Sequence, residues 1–93
     1  MAEALDIRHD AERRRLSTRV DDHIGYVTYE LDGQTMVLTH TVVPATIGGR
    51  GIAGALVKAT LDHAREQGWK VDPACSYADA WMQRHPDYAD LRA

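Results

Sequence analysis

The alternation of apolar and polar positions is sharpest between His23 and Val43. His23–Leu31 (HIGYVTYEL) and Gln34–Val43 (QTMVLTHTVV) are rich in Val, Thr, Tyr and Ile, the residues that suit strands. Between them lies Asp32-Gly33, whose residue types fit the positive φ angles of a two-residue hairpin turn. Such a turn sets Leu31 opposite Gln34, Tyr29 opposite Met36, Val27 opposite Leu38 and Gly25 opposite His40. Strand period then gathers Val27, Tyr29, Leu31, Met36, Leu38, His40 and Val42 on one apolar face. Thr28, Glu30, Thr35, Thr39 and Thr41 fall on the other, among Ile24, Tyr26, Val37 and Val43.

Upstream, Asp6–Arg8 and Arg14–Val20 supply two further short strands around a polar turn at Asp10–Arg13. Pro44 has no N–H for a ladder bond and closes the second hairpin strand. Ala53, Leu56, Val57, Thr60, Leu61 and Ala64 recur at spacings of three and four, which predicts one long helix with an apolar stripe. Gly68 supplies its stop. Trp69–Pro73 reads as a short strand, and a second helix is expected from an N-cap at Ser76 to just before His85-Pro86. Antiparallel strands, helix, strand, helix is the order of an α/β (α+β) domain with a mixed, mostly antiparallel sheet. A single domain over residues 1–93 is expected.

Composition narrows the function classes. Ninety-three residues bury a small core and exclude a two-domain enzyme or a complete dinucleotide-binding fold. Hydrophobic residues at 44% and charged residues at 27% are the mix of a folded domain. Eleven Lys and Arg against fourteen Asp and Glu give a charge of −3, so there is no electrostatic footprint for nucleic acid or for an anionic membrane. Arg13-Arg14-Arg15 reads as a solvated strand end. No run approaches the ~18 apolar residues of a membrane span, and Met1–Asp6 lacks the basic and apolar regions of a secretory leader. Cys75 is alone and forms no internal disulfide. These features together lead us to expect a cytoplasmic location. His9, His23 and His63 show no metal-ligand spacing and are expected at the surface, and no metal is expected.

The chemistry concentrates in Ala45–Gly54, a glycine-dense stretch between a strand and a helix. Free N–H groups at a helix start attract anions, and glycine lets a phosphate approach the backbone closely. A P-loop is excluded, because Ala55-Leu56 stands where Lys-Ser/Thr is needed. Gly49-Arg50-Gly51-Ile52-Ala53-Gly54 spells G-x-G-x-x-G, with Asp72 about the ~20 residues on that a dinucleotide site uses. The strand before it is, however, the far arm of an antiparallel hairpin, and too few residues follow Asp72 for the second half of that fold.

Val42-x-Pro44 followed by Gly48-Gly49-Arg50-Gly51-Ile52-Ala53 resembles the Gln/Arg-x-x-Gly-x-Gly/Ala loop of the GNAT-type N-acetyltransferases. The leading Gln/Arg falls on Gly48, a departure from the motif, and Arg50 offers charge one step away from it. Further landmarks extend the likeness from about Ile7 to Tyr88: Tyr29-Glu30-Leu31, His40-Thr41, Val43-Pro44, Leu56-Val57, Pro73, Cys75-Ser76-Tyr77 and His85-Pro86. The course is similar to the short stand-alone branch of that superfamily. The resemblance implies acetyl-CoA or another acyl-CoA as co-substrate and a small or exposed amine as acceptor. It places Thr41, Val42 and Val43 along the pantetheine arm and Gly48, Gly49, Arg50, Gly51, Ile52, Ala53 and Gly54 around the pyrophosphate. It also puts Cys75 near the mouth of the cleft, for proton transfer or as an acyl acceptor, although a small buried hydrophobe fits that residue as well. His40, on the apolar face by register, suits a proton relay or a hydrogen-bonded core position. Tyr77, at the opening of the second helix, suits protonation of the departing thiolate or simple packing. A CoA-binding module without turnover is the alternative reading, and a protein partner completing the site is a further possibility.

Overall fold

A computed structural model describes residues 5–93; residues 1–4 of the expected 1–93 domain lie outside the described residues. Five strands make one sheet in chain order: β1 (Ile7–Asp10), β2 (Arg15–Val20), β3 (His23–Asp32), β4 (Thr35–Val42) and β5 (Lys70–Asp72). Neighbours are antiparallel except β4 and β5, which run parallel because helix α1 (Ile52–Gln67) crosses between them. Helix α2 (Ser76–Arg84) and a 3-10 segment, Pro86–Leu91, follow β5. This is the expected mixed, mainly antiparallel α/β architecture. The 3-10 segment is not announced by the sequence, because six residues beginning with a proline carry no readable period.

One core holds the layers together. The buried stripe of α1 is Ile52, Leu56, Val57, Thr60, Leu61 and Ala64, so it starts at Ile52 rather than at the half-buried Ala53. It meets Leu16, Val27, Tyr29, Met36, Leu38 and Val71 of the sheet and Ala78, Trp81 and Met82 of α2. Both helices therefore cover the same sheet face. Each fully buried Leu, Val or Met contributes about 1.5–3 kcal/mol. Thr60 is tolerated in this core because its hydroxyl donates to the Leu56 carbonyl at 2.7 Å. Gly68 ends α1 at φ 75°, with its N–H bonded to the last-turn carbonyls. The opposite sheet face has no helix over it among the described residues, and it carries both large exposed apolar side chains, Ile24 and Val42.

The hairpin corrects the expected register in two steps. The turn is Gly33-Gln34 rather than Asp32-Gly33: Gly33 has φ 61°, and Asp32 pairs with Thr35 as the last rung. Leu31 thus faces Met36 and Tyr29 faces Leu38, a slip of two positions that leaves every side chain on its predicted face. A bulge follows. Tyr29 pairs with Leu38 but Thr28 pairs with His40, so Thr39 is an extra residue in β4. From there the alternation inverts: Thr41 pairs with the buried Val27, while His40 and Val42 turn to the uncovered face and are exposed. The inserted residue overturns the expectation that His40 and Val42 sit on the apolar face, and together with the slip at the turn it puts His40 opposite Thr28 rather than Gly25.

Candidate functional site

Two predicted segments converge over Gly25 of β3. A Cβ built there would stand 3.3 Å from Val43 Cγ2, 3.4 Å from Leu56 Cδ1 and 3.5 Å from Ile52 Cγ2. The absence of a side chain at Gly25 lets the end of β4 and the first turns of α1 pack together. Thr41–Val43 and Gly48–Gly54 are thereby neighbours. Between them, Pro44 leads into a 3-10 turn, Ala45–Ile47, anchored by the fully buried Ile47.

The start of α1 is open. Gly51 occupies the N-cap at φ 76°, ψ 12°, Gly49 has φ 77°, and neither would place a Cβ within 4 Å of another group. Left-handed backbone at these positions costs glycine little and other residues about 1–2 kcal/mol. Among the described residues no side chain caps the helix, and its first turn contains no acidic residue. The first intrahelical bond is from Ala55 N–H to the Gly51 carbonyl, so the N–H groups of Ile52, Ala53 and Gly54 precede the ladder. Such a terminus fits a phosphate group well. Gly48 is extended, with φ −68° and ψ 162°. Arg50 is on the same loop, but its guanidinium is paired with Asp21 of the β2–β3 turn at 2.8 Å.

On the other side of β4, parallel pairing with β5 covers Thr35–Val37 and ends with a bond from Cys75 N–H to the Leu38 carbonyl at 2.9 Å. Pro73 then breaks the strand, and Cys75, not Ser76, is the N-cap of α2. Past Leu38 the contact between β4 and this junction is made by side chains: Cys75 Sγ lies 3.5 Å from Thr41 Oγ1. The bulge makes this contact, because it turns Thr41 inward. Burial is the largest single influence on the Cys75 thiol and pushes its pKa up. Hydrogen bonding from the Thr41 hydroxyl, the Ala78 and Tyr77 backbone N–H groups of α2 and the Thr41 backbone outweighs it, so the thiol ends below its ordinary value.

Tyr77 is half-buried on the helix side. A Cβ on Gly54 would lie 3.5 Å from its hydroxyl and 3.2 Å from Trp81 Nε1, so α2 presses on the first turn of α1. His40 is not part of this group; it stands on the uncovered face, with Nδ1 3.5 Å from Thr28 Oγ1.

A second cluster escaped the sequence reading. His9 Nε2 is 2.6 Å from the Tyr29 hydroxyl, and the His9 and His63 rings meet edge-on at 4.3 Å between centroids. His63 in turn touches Trp69. These residues come from β1, β3, α1 and the α1–β5 junction, and no local spacing announces their meeting. His9 is exposed, as expected, whereas His63 is half-buried beneath it. No group of three or more metal-ligating side chains occurs among the described residues.

Comparisons with known proteins agree with this geometry. Residues 15–91 match the family model described as GCN5-related N-acetyl-transferase. Protein NATD1 of Mus musculus is 36% identical over 85 residues, covering 88% of this chain and 77% of the mouse protein. Protein NATD1 of Danio rerio is 34% identical over 91 residues, covering 92% of this chain and 83% of its own. The solution NMR structure of a GCN5-like protein from Staphylococcus aureus superimposes with a TM-score of 0.77 at 27% identity, covering 96% of this chain and 88% of the other.

Proposed function

This chain belongs to the GCN5-related N-acetyltransferase family, and we propose that it binds acetyl-CoA and transfers the acetyl group to an amine by direct attack. The observation that carries the reading is the uncapped start of α1, with Gly49 and Gly51 left-handed, beside the end of β4. The pyrophosphate sits on the N–H groups of Ile52, Ala53 and Gly54, with Gly48–Gly51 leaving room for it. Arg50 lends charge from its pair with Asp21. The pantetheine arm runs along Thr41–Val43, which delivers the thioester to the opening between Thr41 and Cys75.

There the amine lone pair attacks the carbonyl carbon, the carbon–sulfur bond breaks, and CoA leaves as a thiolate that takes up a proton. Positioning and stabilisation of the oxyanion supply most of the rate. The Thr41 hydroxyl and backbone lie at the reacting end, and Cys75, biased towards the thiolate, accepts the proton that the amine gives up. Tyr77 donates from the α1 side to the leaving sulfur. Deprotonating a lysine amine at pH 7 costs about 4–5 kcal/mol and an α-amine about 1. One weak base thus favours an α-amine acceptor. The helices fill one side of the opening, so the acceptor arrives from the uncovered sheet face, where His40 stands.

The test is calorimetric titration with acetyl-CoA, with NAD as control, followed by an assay of CoA release over a panel of amines. Saturable binding of acetyl-CoA alone together with amine-dependent release supports the transferase. One observation favours a second reading, a CoA-binding module without turnover: the bulge turns His40 out of the helix face and removes the imidazole expected in the cleft. Tight acetyl-CoA binding with no release across the whole panel decides for that module. In an active enzyme, Cys75→Ala combined with His40→Ala abolishes turnover and leaves binding intact.

A further inference from the structure

A Cβ on Gly54, in the first turn of α1, would meet two hydrogen-bond donors of α2, Trp81 Nε1 and the Tyr77 hydroxyl, ahead of the nearest carbon, Trp81 Cδ1 at 3.7 Å. Trp81 is only 6% exposed, and a buried indole N–H ordinarily finds an acceptor. Among the described residues this N–H has no protein acceptor, and it is not sealed in either, since no fully enclosed side-chain nitrogen or oxygen lacks a partner. The edge of the ring that carries it faces the gap left by Gly54. The other sides of the ring are fixed. His85 stacks on it at 3.7 Å between centroids and 11° between planes, Tyr88 meets it edge-on at 5.2 Å, and His85 Nδ1 donates to the Trp81 carbonyl at 2.7 Å. Tyr88 is in turn tied to α1 through Asp62 at 2.7 Å. The indole therefore keeps its N–H aimed at the start of α1. The glycine loop brings no free side-chain donor to the same place: Gly48, Gly49 and Gly51 have none, and Arg50 is turned to Asp21. Asp79, the acidic residue in the first turn of α2, is held by Arg92 at 2.8 Å.

We propose that Trp81 is a ligand-binding residue whose indole N–H donates to a phosphate oxygen held at the start of α1, and that position 54 is glycine so that the two can meet. The assignment rests on the diphosphate position given above. A phosphate there receives backbone N–H groups along the axis of α1 and the indole N–H from the side, and a bond to an ionised acceptor is about twice as strong as one between neutral groups. The order of residues along α2 agrees with this. Cys75 and Tyr77 stand by the reacting end, and Trp81 follows one turn after Tyr77, about 6 Å further along the helix. The helix thus runs from the thioester towards the phosphates, as the cofactor does. Trp81 supplies from α2 the side-chain donor that the loop itself lacks.

The experiment follows the indole N–H resonances of isotope-labelled protein. Trp69 and Trp81 are the two tryptophans of the chain, and Trp69, at the far end of α1 beside His63, is the internal reference. The probes are CoA, inorganic pyrophosphate and pantetheine, which lacks phosphate. The Trp81 resonance moves downfield with CoA and with pyrophosphate, together with the amides of Ile52, Ala53 and Gly54, and stays in place with pantetheine. Trp69 is unmoved throughout. Trp81→Phe keeps a ring against His85 but loses the N–H; it weakens CoA about tenfold, the factor expected for one hydrogen bond to a charged group, and leaves pantetheine binding unchanged. An indole signal that ignores both phosphate probes, or responds equally to pantetheine, overturns the proposal without requiring any variant to fold. So does a Trp81→Phe protein that melts like its parent and binds CoA as tightly. A signal that moves with pyrophosphate while CoA fails to bind keeps the phosphate contact and counts against the transferase reading alone. CoA binding that shifts Ile52 to Gly54 and not Trp81 does the reverse.

Discussion

The hydroxyl of Tyr29 and Nε2 of His9 are 2.6 Å apart, a bond that ties the edge strand β1 to β3 over the intervening β2. It satisfies the phenol of a residue that is only 4% exposed, and it puts His9 edge-on against His63. Burial first, then the neighbouring His63, hold the His9 pKa below the usual imidazole value, with Asp10 pulling the other way.

A pH dependence of stability follows. The folded pKa of His9 is depressed, so between it and the unfolded value of ~6.5 the unfolded chain binds more protons. The contribution is complete above about pH 6.5 and is lost as pH falls through the folded value. Melting temperatures measured between about pH 7.5 and 5.5 fall with pH, and His9→Gln flattens the slope. An unchanged slope in that variant would remove His9 as its source.

Cys75 is expected to alkylate as an activated thiol. The rate of reaction with iodoacetamide, followed against pH, has its inflection below that of an unperturbed cysteine thiol. Thr41→Val takes away the hydroxyl 3.5 Å from Sγ and moves the inflection upward, with little change in melting temperature. Coincident profiles would separate Thr41 from the thiol.

Gly51→Val distinguishes conformation from contact. Nothing lies within 4 Å of the new Cβ, so the stability cost is that of φ 76°, about 1–2 kcal/mol or more for a β-branched residue. That corresponds to a melting shift of about 4–8 °C per kcal/mol for a domain this size. Affinity for acetyl-CoA drops at least about tenfold, beyond what partial unfolding explains, because a side chain now stands over the N–H groups of α1. Unimpaired binding would place the pyrophosphate elsewhere.

Gly54→Leu tests the seam between the helices. Its Cβ starts 3.2 Å from Trp81 Nε1, and the extra carbons have no space against Tyr77. Overpacking of this kind costs about 1–3 kcal/mol, offset by up to about 1 from helix propensity. Trp81 fluorescence should shift along with the loss of stability.

Much of the fold could be read along the chain because its signals are local. The stripe from Leu56 to Ala64, the Gly68 stop and the alternation from Val27 to Leu38 each depend on neighbours within a few residues. The two-residue error in the hairpin turn did no harm to the faces, since strand period is two. The error at Thr39 did, because an odd insertion reverses the faces and nothing in Thr39-His40-Thr41-Val42 marks where the insertion falls. The glycine loop was visible as a type of site, and the left-handed angles at Gly49 and Gly51 suit it. The Arg50–Asp21 pair and the His9–His63 contact were not visible. Each depends on elements far apart in sequence, and only the assembled sheet brings them together.

The extra residue in β4 acts as a frameshift written in geometry. Removing Thr39 would close the bulge and leave Thr28 opposite His40 and Val27 opposite Thr41, so the side chains beyond it would keep their faces. Keeping Thr39 but drawing it into the ladder as an ordinary paired residue would instead return His40 to the core side and send Thr41 outward, exchanging a hydroxyl for an imidazole beside Cys75. Every residue from His40 to Pro44 would change sides together, and α1 would meet the wrong side of the strand. A relative with the same strand length and no bulge could keep the sheet and the glycine loop and still have a different reaction centre. In aligning such chains, the presence of the bulge in β4 therefore carries as much chemical information as the identities of the residues in it.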